Sequence, residues 1–145
     1  METIILCGIQ ASGKSTFYKA RFADSHLRLN LDMLRTRTRE GVLLHACLAA
    51  KQPFVVDNTN PTAELRGRYV ALAHAAGFEA HVYYLDCPLQ EALQHNAARD
   101  RVVPERAIKA TARKLEVPAM DEGMDRLFFV TMTEDWGIEV QEVTG

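Results

Sequence analysis

The chain has no apolar run approaching the roughly 20 residues that a membrane-spanning helix needs. Nor does it open like a secretory leader. Glu2 stands where a leader carries basic residues, and the apolar run 4–7 is too short for a leader's hydrophobic segment. A cytoplasmic protein without membrane attachment is expected. Cysteine is scarce. Cys7, Cys47 and Cys87 are odd in number, far apart and without CxxC spacing, which argues against a disulfide framework or a cysteine metal site. Each lies in or beside an apolar segment and reads as a small core hydrophobe. The histidines are scattered too. His74 and His81, seven apart, straddle a predicted helix-to-strand turn, so they are not assigned to a metal site. Repeats, low-complexity tracts and Ser/Gly/Pro linkers are missing, and 145 residues then read as one domain, 1–145. A chain of that size buries roughly 70% of its unfolded surface, enough for a proper core.

What is present is the composition of a globular protein, 48% hydrophobic and 25% charged. The net charge of −2 hides an asymmetry. Residues 116–145 carry eight acidic side chains against Arg126 alone, so the remainder is net positive. The basic excess includes Arg21, Arg28, Arg35, Arg37 and Arg39. It is either a solvated surface or a rim that attracts a phosphorylated substrate. The balance does not suggest strong sequence-independent nucleic-acid binding.

Residues 3–7 form an apolar run ending in glycine and read as a buried parallel strand. Helix-compatible residues follow over 14–23, then a short strand over 26–30. A helical stretch starts at 32–39 and resumes at 41–51, with Leu44, Ala46, Cys47 and Leu48 on its apolar side. Residues 54–57 are the next buried strand. Asn60-Pro61 predicts a helix start, with Asn as cap and Pro at the first helical position. Leu65, Tyr69, Leu72 and Ala76 follow the helical period, and Gly77 closes the helix. Strands are predicted over 78–85, 126–131 and, more briefly, 138–140. Helices are predicted over 88–97 and from Pro104, the latter with Ile108, Ala112 and Leu115 on one stripe. Alternating strands and helices imply an α/β fold, a three-layer α/β/α sandwich with about five parallel strands. Ligands in such folds bind outside the carboxyl ends of the strands. Gly8, Asp32, Asp57 and Cys87 all fall at that edge.

The segment Gly8-Ile9-Gln10-Ala11-Ser12-Gly13-Lys14-Ser15-Thr16 fits GxxxxGK[ST] and sits between a buried strand and a helix, the context the motif requires. Gly8 and Gly13 let the loop wrap without Cβ clashes, so successive backbone N–H groups point inward at phosphates. Lys14 would reach the β- and γ-phosphates, and the Ser15 hydroxyl would ligate Mg²⁺. A nucleoside triphosphate, ATP with Mg²⁺, is the ligand this implies. Asp57 ends a buried strand beside it. Its carboxylate either holds Mg²⁺ or makes an Asx turn.

Phosphoryl transfer needs a base near the acceptor hydroxyl and positive charge over the transferring group. Asp32 is the base candidate, and Arg35, three residues on and on the same helical face, could bind a substrate phosphate. The alternative is a first-turn Asp paired with a surface Arg. Residues 96–104, with Arg99 and Arg101, lie between two helices and read as a lid whose arginine stabilises transferred charge, or as a solvated loop. Trp136, the only tryptophan, reads as packing rather than as a base platform.

GIQASGKST, Asp32-Met-Leu-Arg35, Val-Val-Asp57-Asn-Thr-Asn60-Pro61, and Arg99 to Pro104 followed by Arg113-Lys-Leu-Glu-Val-Pro118 together resemble the polynucleotide 5′-hydroxyl kinases of the bacteriophage type and the small P-loop kinases related to them. The resemblance reaches to about residue 130. It implies strand order 2-3-1-4-5, Asp32 as general base, Arg35 on substrate phosphate and Arg99 as the lid arginine, with His95 where a second lid arginine might stand. The acceptor it implies is a DNA or RNA 5′-hydroxyl end. A small hydroxylated metabolite is the alternative acceptor, and a non-catalytic nucleotide-binding module is the reading from a different class. An interleaved aromatic-and-basic stripe for stacking bases is missing. The Arg-rich 28–39 stretch, with Tyr18 and Phe22 nearby, is what favours the polynucleotide.

Overall fold

In the computed structural model, which describes residues 1–100, 102–135 and 137–144, two apolar strands lie side by side inside a six-stranded sheet. They are β1 (Glu2–Cys7) and β3 (Phe54–Val56). Around them run β2 (Leu27–Leu29), β4 (Glu79–Leu85), β5 (Arg126–Met132) and β6 (Ile138–Val143), in the order β2-β3-β1-β4-β5-β6. The first five strands are parallel, in the order the resemblance implies. β6, expected briefly over 138–140, extends to Val143 and runs antiparallel to β5, beside the five parallel strands.

Both faces of the central strands are buried, as a parallel sheet requires. On one side Ile5, Cys7 and Val56 pack with Leu44, Cys47 and Leu48 of α3 (Arg37–Ala50) and with Tyr69, Val70 and Ala73 of α4 (Ala63–Ala75). On the other side Ile4, Leu6 and Val55 pack with Phe17 of α1 (Lys14–Arg21) and with Phe22, which caps α1. Phe17 is fully buried. Burying a side chain of its kind is worth about 1.5–3 kcal/mol, and here it anchors the helix that opens at the phosphate loop. A smaller cluster of Ile9, Ala92 and Ile108 packs α5 (Leu89–Ala97) and α6 (Glu105–Lys114) beside that loop.

Four expectations are corrected. The helix expected from residue 32 is broken into α2 (Leu31–Leu34) and α3, because Arg35 adopts a positive φ of 76° and Thr36 starts a new helix by capping Arg39 N–H. Asp32 and Arg35 therefore share no helical face. Asn60 does not cap a helix. It is buried with φ 44°, its amide donates to Leu6 O at 2.7 Å, and α4 starts at Ala63 under a Thr62 cap. The buried face of α4 is Arg66, Tyr69, Val70 and Ala73, while Leu72 is exposed. An arginine that satisfies its donors inside the core turned the helix away from the apolar stripe. Finally, Ala46 of α3 is exposed. No described helix is long and apolar enough to cross a membrane.

Candidate functional site

Strand β1 ends at Cys7 and α1 starts at Lys14, so residues 8–13 must reverse the chain over the carboxyl edge of the sheet. Two glycines make the turn possible. A Cβ on Gly8 would lie 2.8 Å from Ser12 Oγ and 3.2 Å from the Leu85 carbonyl, and Gly13 has φ 103° with Met132 Cε 2.8 Å from where its Cβ would be. Gly13 gives α1 no side-chain cap, so first-turn N–H groups remain for an anion, aided by the helix dipole. Lys14 folds back over the loop, and its Nζ donates to Gly8 O at 2.9 Å and Ile9 O at 2.8 Å. Burial pulls its pKa down from the ordinary lysine value to about 8, against the opposing pull of Asp57. Within the loop, Ser12 Oγ and Gln10 Oε1 are buried without a hydrogen-bond partner among the described residues.

The loop after β3 ties this cradle to its surroundings. Gly8 N–H donates to Thr59 O at 3.0 Å, and Asn60 holds Leu6 O. Behind them Arg66 is fully buried and uses all its nitrogens: Nη1 on Asn60 O at 2.9 Å and on Cys7 Sγ, Nη2 on Glu116 O at 2.8 Å, and Nε and Nη2 on the Glu122 carboxylate at 3.1 Å. Burial of the Cys7 thiol raises its pKa to about 11, and Cys87 is raised to about 11 in the same way, so both stay neutral thiols. Cys87 belongs to the small cluster under α5 rather than to the cleft.

A cleft of about 1090 Å³ opens over the strand ends. Lys14, Ser15 and Thr16, Asp32 and Arg35, Asp57, and Arg99 all line it. Of the loop residues named from the sequence, Gln10, Ala11 and Gly13 also line it, whereas Gly8, Ile9 and Ser12 lie behind its wall and are buried. Asp32, Arg35 and Arg99 are exposed. None of their side chains makes a hydrogen bond or ion pair among the described residues. Asp32 is nevertheless placed with care. Asn30 caps α2 by accepting from Met33 N–H and anchors to Asp57 O at 2.7 Å. Asn58 Oδ1 accepts Leu31 N–H at 3.0 Å while its amide donates to the buried Glu40 at 2.9 Å, and Glu40 in turn accepts from Tyr69 OH at 2.6 Å. Burial and that Glu40 contact push the Tyr69 pKa up to about 12.

In the expected lid, Asn96 brackets Val103 with two hydrogen bonds, 2.7 and 2.9 Å, and Arg99 N–H donates to Asn96 O. His95 lines the cleft with a ring nitrogen 3.4 Å from Ala11 O. Arg101 and Trp136 lie outside the described residues.

Ser15 and Asp57 converge, as a shared metal would need. Both reach one guanidinium: Arg28 Nε donates to Asp57 Oδ2 at 2.7 Å and Arg28 Nη2 to Ser15 Oγ at 3.1 Å. A hydroxyl and a carboxylate aimed at one point of positive charge are an oxygen donor set that suits a hard cation such as Mg²⁺. Sequence reasoning named Arg28 only as part of a basic rim and missed Glu40 and Arg66. Their type gave no signal, because each is a charged residue that a local pattern assigns to solvent.

The order of strands, the glycine-bounded phosphate loop and the cleft above it define a P-loop nucleotide-binding protein of the kinase-like phosphotransferase type. The chain belongs to the AAA domain family, whose model matches residues 3–118. It is 27% identical over 128 residues to a bifunctional polynucleotide phosphatase/kinase of Schizosaccharomyces pombe, a match covering 84% of this chain and 31% of that protein. It is also 27% identical over 141 residues to an L-seryl-tRNA(Sec) kinase of Methanococcus maripaludis, covering 84% of this chain and 55% of that one. The chain thus spans about a third and about half of the length of these relatives. Among solved structures, Chaetomium thermophilum Kti12 in complex with ADP-AlF3 superposes with a TM-score of 0.67 at 18% identity, covering 92% of each chain.

Proposed function

We propose that the protein is an ATP-dependent kinase that transfers the γ-phosphoryl group to a hydroxyl, and that the acceptor is a DNA or RNA 5′-hydroxyl end. The observation that carries this reading is the Asp32 carboxylate, exposed and without a partner among the described residues, in the same cleft as Lys14 and Ser15. A carboxylate so placed can accept the proton of an attacking hydroxyl. Lys14 and the loop amides hold the donor phosphates, and Arg35 takes a phosphate of the acceptor. Arg99, on the lid 96–104 of a single domain 1–145, meets charge that develops on the transferred group. Ser15 and Asp57 would hold Mg²⁺, which when bound neutralises phosphate charge.

The polynucleotide relative, a phosphatase/kinase, supports the acceptor assignment. One feature favours the second reading, a small hydroxylated metabolite: among the described residues no Phe, Tyr or Trp lines the cleft. Phe22 is buried in the core and Tyr18 is tied to His26 O, so neither offers a stacking platform. The test offers labelled ATP and a 5′-hydroxyl oligonucleotide, with and without MgCl₂. Label on the oligonucleotide only with MgCl₂ is the expected result. Bound ATP without transfer to DNA or RNA would move the assignment to a metabolite.

A further inference from the structure

We infer that Arg28 is the resident counter-cation of the proposed metal site, and that it makes divalent-metal binding conditional on nucleotide. This rests on the reading that Ser15 and Asp57 hold the metal. Asp57 is 1% exposed. A carboxylate that deep is tolerated in ionised form only with a partner, and Arg28 Nε at 2.7 Å is that partner. The second contact, Nη2 to Ser15 Oγ at 3.1 Å, places the same guanidinium across both proposed metal ligands.

The position of Arg28 is built, not incidental. Its backbone is fixed in the β2–β3 ladder opposite Val55. Its guanidinium carbon lies 5.8 Å from the centre of the Tyr18 ring, an attractive cation–π arrangement. Tyr18 is itself held, with its hydroxyl donating to His26 O at 2.6 Å.

Two cations cannot share the point where Ser15 and Asp57 converge. A metal ion arriving alone gains one hydroxyl and one carboxylate and must break the Arg28–Asp57 pair. An ion arriving with a triphosphate gains the phosphate oxygens as well, and the displaced guanidinium remains beside new negative charge. Arg28 therefore keeps bare divalent ions out and admits them with nucleotide.

The test is thermal unfolding of the nucleotide-free protein in MgCl₂ against NaCl of matched ionic strength, for wild type, Arg28→Gln and Arg28→Gln/Asp57→Asn. Glutamine keeps a hydrogen bond for Asp57 but no charge. The expected result is a wild type indifferent to MgCl₂ and an Arg28→Gln protein whose Tm rises by about 4 °C at a tenfold excess over Kd. The double variant should lose that rise. Its metal affinity, read by calorimetry, should be at least about tenfold below that of Arg28→Gln, a conservative share of the value of a buried ion pair. An Arg28→Gln protein as indifferent as wild type, or a wild type as responsive as Arg28→Gln, overturns the inference. If Arg28→Gln does not fold, Arg28→Lys replaces it. Lysine pairs with Asp57 without bridging to Ser15, so a smaller rise is expected and no rise overturns. A separate arm protects the underlying reading. Wild-type ATP affinity should rise with MgCl₂ and lose that response in Asp57→Asn, and failure there sinks the metal assignment itself, whatever Arg28 does.

Discussion

The two walls of the cleft are built in opposite ways. On the phosphate-loop side the groups that fix the loop's shape are already engaged: Gly8 with Thr59, Leu6 with Asn60, Lys14 with two loop carbonyls, and Arg66 with five acceptor contacts behind them. On the opposite side α2 is a four-residue helix with no buried residue. It carries Asp32 and ends at Arg35, a non-glycine with positive φ, and Arg99, which lines the same cleft, has no side-chain bond among the described residues. A wall that binds a constant ligand gains from being assembled in advance, since no ordering cost is left for the binding step. Catalytic groups have the opposite need. A base or an arginine that must meet a substrate cannot be spent on the protein's own partners.

Removing the post behind the assembled wall should have the largest effect. Arg66→Ala takes away the Glu122 carboxylate's charged partner and the donor to the buried Asn60 carbonyl, and a loss of about 3–5 kcal/mol of stability is expected, checked by urea unfolding. A loss below about 1 kcal/mol would mean that the wall does not depend on it. Lys14→Ala comes next, with kcat/KM for phosphoryl transfer down by about 10²–10³ and folding stability nearly unchanged, since its loop contacts are to backbone carbonyls at a half-buried site. Asp32→Asn should then separate the walls, with kcat down by about 10² and ATP affinity as in wild type. Equal losses in both would show that the two sides are not independent.

The smallest effect is one of pH. The free Lys14 pKa is lowered to about 8, and bound phosphate raises it, so above pH 8 binding must take up a proton. Triphosphate affinity should fall by up to about tenfold per pH unit there, and Lys14→Ala should abolish that slope. Folding responds with the opposite sign. With the native pKa below the unfolded one, a charged Lys14 costs the native state some stability at neutral pH, which its loop hydrogen bonds offset, and that cost fades from pH 8 towards the ordinary lysine value.

Much of the donor wall was legible in the sequence. GxxxxGK[ST] after an apolar run specifies a strand, a turn that only glycine permits and a helix start, all within contiguous residues. Asp32, Asp57 and Arg99 were legible as positions at strand or helix ends, which the topology gathers at one edge. What misled was periodicity. Leu72 stood on the expected apolar face yet is exposed, and Arg66 takes an inside position instead, with partners 50 to 59 residues away. Asn60-Pro61 had the signature of a helix start, yet Asn60 serves Leu6, 54 residues upstream.

The sequence by itself therefore determined the parallel α/β framework and the phosphate cradle, whose causes are local: apolar runs, glycine at forbidden dihedrals and a short spacing. Tertiary structure alone decided which polar residues went inside. Glu40 and Arg66 carry no inward signal in any local window, and Asn60 reads as a helix cap, because burying them is favourable only once a distant chain segment supplies the matching donor or acceptor. The same rule accounts for the reversed last strand. The direction of Ile138–Val143 depends on pairing with β5, not on its own residues.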